Sequence, residues 1–102
     1  MHNKLLLTVV ETPTFQKQSD RLWDTAERHA FIDWIAQNPR AGDVIPGAEG
    51  ARKVRWGVQG RGKRGGVRVI YFHLNDQGLL VLVAMYAKSE QDLMPAHDIR
   101  RS

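Results

Sequence analysis

Nine consecutive apolar residues, Leu79 to Ala87 (LLVLVAMYA), constrain this chain more than any other segment. The run is far short of the roughly 20 apolar residues needed to cross a bilayer. It has no polar side to offer to solvent, so it reads as a strand covered on both faces and central in its sheet. The Asn75-Asp76-Gln77-Gly78 segment before it is a hairpin turn signal, and Val67 to Leu74 (VRVIYFHL) is the strand that enters that turn.

Upstream, Arg52 to Val58 forms another strand, joined to Val67 through Gly60 to Gly66 (GRGKRGG), a loop with four glycines in seven residues. Leu5 to Val10 is an apolar, partly β-branched run ended by Pro13, so it reads as the first strand. Phe15 to Leu22 is a short helix. Asp24 followed by Glu27 has capping-box spacing and starts a second helix. Ala26, Ala30, Phe31, Trp34 and Ile35 give that helix an apolar stripe, and Asn38-Pro39 stops it. Gly42 to Gly50 is turn-rich. The order is β-α-α-β-β-β. It predicts an α+β fold with two N-terminal helices packed on one face of an antiparallel-rich sheet, the other face being open. Residues 1–102 read as a single domain.

Charge is distributed unevenly. Residues 51–75 carry seven Lys and Arg and no acid: Arg52, Lys53, Arg55, Arg61, Lys63, Arg64 and Arg68. Residues 1–50 hold five basic and seven acidic residues, and residues 76–102 hold three and four. The formal net charge of +4 is therefore a basic block on a mildly acidic body. Because the block runs through strand sequence, its charge is fixed on a folded surface, the arrangement that holds a polyanion in a defined pose. Period two puts Lys53 and Arg55 on one strand face and Val54 and Trp56 on the other. Arg68 stands between Val67 and Val69 in sequence that is otherwise core, where an Arg needs solvent or a partner for its head group. Pairing through the glycine-rich loop brings Lys53, Arg55 and Arg68 together on the open face. The bland alternative is a solvated face that discourages edge aggregation.

Other chemistries are excluded or unsupported. There is no cysteine, so disulfides, thiolate catalysis and Cys-based zinc sites are out. His2, His29, His73 and His97 are scattered without metal-ligand spacing, and no metal or cofactor is expected. GRGKRGG is not a phosphate-binding loop of the GxxxxGK type, since no Ser or Thr follows the lysine and no helix follows the loop. No signal peptide or membrane span is expected, and the chain reads as cytoplasmic.

Three ordered motifs, GDVIPGAEGARKVRWG, GRGKRGGVRVIYF and YAKSEQDL, resemble the RelE/ParE toxin superfamily, and its HigB-like branch most closely. The resemblance spans about residues 42–93 and implies the same two-helix, antiparallel-sheet fold. It also implies the toxin of a type II toxin–antitoxin pair, a ribosome-dependent mRNA endoribonuclease that works without metal. The implied partners are the ribosome with its mRNA and a cognate antitoxin, HigA-like with a helix-turn-helix. Operator DNA would be reached only through that antitoxin, and no membrane is involved. Position by position, Lys53 and Arg55 match the basic pair of the family's second strand. Arg68 matches the arginine of its third strand, which contacts the scissile phosphate, and Lys88 the basic residue after its fourth. Two departures stand out. Ser89 occupies the place where RelE-type toxins carry an arginine. The LMPAHD segment has no tyrosine, leaving His97, out of register, as its candidate catalytic group.

RNA supplies its own nucleophile, the 2′-OH, so the protein must supply a proton acceptor, cationic donors for the developing phosphorane and an acid for the 5′-oxygen. Lys53 is the expected base, Arg55 and Arg68 the charge stabilisers, and Lys88 or His97 the acid. Arg52, Arg61, Lys63 and Arg64 are the expected phosphate contacts. Two further readings come from other classes, a ParE-like inhibitor that binds DNA gyrase and a non-catalytic nucleic-acid-binding regulatory subunit.

Overall fold

A computed structural model describes residues 7–57 and 66–89. Strand β1 (Thr8–Glu11) is followed by helices α1 (Pro13–Leu22) and α2 (Thr25–Gln37). Strands β2 (Asp43–Val44), β3 (Arg52–Trp56), β4 (Val67–Leu74) and β5 (Leu79–Ala87) follow, with a 3-10 turn over Asn75–Gln77. The five strands form one sheet in the order β1-β5-β4-β3-β2. β1 runs parallel to β5, and every other pair is antiparallel.

Both helix starts are set by local chemistry. Thr12 caps α1: its hydroxyl accepts from the Phe15 N–H at 3.1 Å and donates to the Val83 carbonyl at 2.7 Å, and Pro13 opens the first turn. Asp24 caps α2 by accepting from the Glu27 N–H at 2.8 Å. The reciprocal half of the expected capping box is not made. Glu27 instead accepts a hydrogen bond from the Trp56 indole N–H at 2.6 Å, tying α2 to β3.

The α2 stripe is narrower than the sequence predicts. Phe31 and Ile35 are fully buried and Trp34 half-buried, whereas Ala26 and Ala30 are exposed. The aromatic side chains take over. Phe31 packs against Trp23, Trp34 and Trp56, with ring centroids 5.2–6.3 Å apart. Each buried aromatic or aliphatic side chain of this kind contributes about 1.5–3 kcal/mol. The core beneath the helices takes Val54, Val67, Val69, Tyr71, Leu80, Leu82, Met85 and Ala87 from the sheet.

Three further expectations are corrected. β1 reaches Glu11 rather than ending at Val10, because Glu11 still pairs with Leu82 and its carboxylate grips Arg28 of α2 through two hydrogen bonds at 3.0 and 2.6 Å. β5 is interior, between β1 and β4, but β4 is the middle strand, because β2 adds a fifth strand beyond β3. The face opposite the helices is not bare. Ala48 and Ala51 pack with Ile70, Val83, Ala84 and Tyr86, so the 45–51 turn covers part of it. A β-bulge makes this possible. Ile70 pairs with Ala84 but Tyr71 with Leu82, leaving Val83 as the extra residue that turns the end of β5 over. Among the described residues no helix is long and apolar enough to cross a membrane.

Candidate nucleic-acid interface

The face away from the helices carries the candidate site. On β3, Val54 and Trp56 enter the core beneath the helices, so Lys53 and Arg55 project from the other side. On β4, Val67, Val69 and Tyr71 do the same, so Arg68, Ile70 and Phe72 project with Lys53 and Arg55. The register is specific. Arg55 is the direct partner of Arg68, and Arg68 is the direct partner of Tyr86 on β5. Lys53 pairs with Ile70, one diagonal step from Arg68. Directly opposed residues have Cβ atoms about 4.5–5.5 Å apart and diagonal ones about 7–8 Å. Three cations thus share one small area of sheet. Arg55 is exposed, and Lys53 and Arg68 are half-buried.

Lys88 follows β5 immediately and is exposed. Its N–H donates to the Gly66 carbonyl at 3.1 Å, which keeps it at the end of the β4–β5 ladder, two residues from Tyr86. Arg52 is placed differently. Its guanidinium donates to the carbonyls of Gly42 (2.7 Å) and Arg40 (3.4 Å), so it braces the 40–42 segment. Arg61, Lys63, Arg64 and His97 lie outside the described residues.

Two residues of this face were not singled out in the sequence. Tyr86, 4% exposed, closes the arginine row from the β5 side. In the sequence it opens the YAKSEQDL motif, two residues before Lys88. Asp43 pairs directly with Lys53 through β2, a strand of two residues that no periodicity can reveal.

The β2 edge is held by Tyr71, whose hydroxyl donates to the Pro39 carbonyl at 2.8 Å and accepts from the Gly42 N–H at 2.9 Å. Burial pushes the Tyr71 phenol above its ordinary value, against the opposing effects of the Gly42 hydrogen bond and Arg52. A side chain at Gly42 would force its neighbours to shift, since a Cβ would lie 2.9 Å from the Lys53 carbonyl oxygen and 3.0 Å from the Tyr71 ring. Nearby, His73 is held below its ordinary value by burial first, then by Arg40 and Arg52.

The chemistry available here is electrostatic and protic. Clustered guanidinium and ammonium groups bind and neutralise phosphate, and an amine and a carboxylate side by side can exchange protons with a substrate.

No protein-family model matches the chain. Among solved structures, it is similar to that of the E. coli toxin RelE, an arginine-to-alanine double mutant in the free state. The TM-score is 0.64 at 11% identity, with 94% of this chain and 97% of that chain covered. The fold of this chain is RelE-like.

Proposed function

We propose that this chain is the toxin of a type II toxin–antitoxin pair, of the HigB-like branch, and that it blocks translation by cutting ribosome-bound mRNA in the cytoplasm. The observation that carries the reading is the Arg55–Arg68 pair, set face to face with Lys53 one diagonal step away. Cations gathered on one small area of sheet put several donors within reach of a single phosphate. A pentacoordinate phosphorane, with more negative charge than the diester it comes from, is held best. The RelE-like fold supports the reading independently.

In this reading Arg55 and Arg68 hold the scissile phosphate, and Lys53 and Lys88 are the amines placed for proton transfer. The 2′-OH is the nucleophile, so no metal is required. A cognate antitoxin, HigA-like with a helix-turn-helix, masks the cationic face until it is removed. The test is a translation extract carrying a defined mRNA. Codon-positioned cuts that require ribosomes are expected. Efficient cutting of naked RNA, or arrest of growth with intact message, would sink the proposal, and gyrase inhibition in a supercoiling assay would replace it.

A further inference from the structure

Asp43 belongs to the same face as the three cations, on three independent grounds. It is the register partner of Lys53 across an antiparallel pair, and opposed residues in such a pair project to one side. Gly42, the residue before it, meets Tyr71 of the core beneath the helices. Ile45, two residues on and in phase with Asp43, packs against the Ile70, Val83 and Ala84 cluster on the opposite face. The Asp43 side chain is exposed beside the half-buried Lys53.

Cleavage through a 2′-OH removes one proton from the 2′-oxygen and delivers one to the 5′-oxygen. Guanidinium and ammonium groups can only donate, and an ionised carboxylate can only accept. We propose that, within the RNA-cleavage reading on which this rests, Asp43 is the proton acceptor and Lys53 the proton donor. The 2′-OH gives its proton to a carboxylate oxygen of Asp43 as the 2′-oxygen bonds to phosphorus. Arg55 and Arg68 hold the negative charge that collects on the phosphoryl oxygens. The bond from phosphorus to the 5′-oxygen then breaks, its electron pair stays on that oxygen, and the Lys53 ammonium protonates it. The products are a 2′,3′-cyclic phosphate and a free 5′-OH. Asp43 is left protonated and Lys53 neutral, and passage of one proton between them through water restores both. From the sequence alone Lys53 is the expected base. The β2–β3 pairing supplies a carboxylate for that task and frees the amine to act as the acid.

The experiment uses the full chain on programmed ribosomes with a short synthetic mRNA in single turnover. Asp43→Asn is expected to slow cutting by about 10²-fold or more, with ribosome binding and antitoxin binding unchanged. Asp43→Glu should recover part of the rate. An mRNA with sulfur in place of the 5′-bridging oxygen has a leaving group that needs no protonation. It should restore the rate of Lys53→Ala and leave Asp43→Asn slow. Wild-type rates in Asp43→Asn, or rescue of Asp43→Asn by the sulfur substrate, overturn the assignment. A wild-type chain that leaves both substrates intact overturns the nuclease reading itself, so the two failures are distinguished by the wild-type reaction.

Discussion

Arg55 and Arg68 face each other directly across the β3–β4 ladder, and Tyr86 is the next residue in the same row. The core beneath the helices is filled from the alternate positions, Val54, Val67 and Val69, so the two arginines stand outside it on the opposite face.

Removing one arginine of the row should disable the protein and leave it folded. Arg55→Gln changes an exposed position. The change in stability should stay within about 0.5 kcal/mol, read as a nearly unchanged denaturant midpoint and slope. Cleavage by the same protein should fall at least about tenfold, since one phosphate donor is gone. A folded Arg55→Gln protein with undiminished cleavage would show that the row does not hold the scissile phosphate.

Two glycines with nearly the same φ should respond differently to alanine. Gly66 and Gly78 have φ of 67° and 66°. At Gly78 an added Cβ meets nothing within 4 Å, so Gly78→Ala carries only the conformational penalty of about 1–2 kcal/mol. At Gly66 the Cβ would sit 2.2 Å from the Trp56 carbonyl oxygen. Gly66→Ala must therefore shift the β3–β4 connection as well, and its loss of stability should be at least about 2 kcal/mol larger. Equal losses in urea titrations would mean that the chain around Gly66 yields easily.

The sequence was most readable where one periodicity ran without interruption. β4 and β5 occupy the residues expected of them, and the alternation in β3 correctly separated Lys53 and Arg55 from Val54 and Trp56. It was least readable where two answers look alike in composition. Val83 and Ala84 both turn to the second face at the bulge, yet a run of nine apolar residues hides any change of phase. Asp43 lies in a strand of two residues inside what reads as a turn, so its place beside Lys53 is a property of the pairing alone. The helical stripe was overdrawn for a different reason. The indole of Trp56 and the ring of Trp34 close over Phe31, and the small side chains of Ala26 and Ala30 are left outside.

His73 should make stability depend on pH. Burial, then Arg40 and Arg52, lower its pKa from the ordinary 6.5, so the unfolded chain binds this proton more readily than the folded one. Stability from this residue is thus fully present above about pH 6.5 and is lost as pH falls through the lower folded value. His73→Gln should flatten the fall in stability between about pH 7.5 and 5, the window set by that direction of shift. The comparison is the denaturant midpoint of both proteins across the range. Parallel curves would remove His73 as a source of the dependence.

Tyr71→Phe tests whether the β2 edge supports the chemistry or only the fold. The hydroxyl is a donor to Pro39 and an acceptor from Gly42, so its removal orphans two backbone groups, one of them on a buried residue. The expected destabilisation is about 1–3 kcal/mol. The consequence should reach further than stability, because Gly42 leads directly into Asp43, and Arg52 grips the same Gly42 from its carbonyl side. With one of the two holds released, the Asp43–Lys53 register has only two paired positions to keep it. Cleavage measured well below the unfolding midpoint, where Tyr71→Phe is still folded, should therefore drop more than ribosome binding does. If the folded Tyr71→Phe protein cuts mRNA at the wild-type rate, Asp43 does not need an ordered β2 to act, and the anchoring role assigned to Tyr71 is confined to the fold.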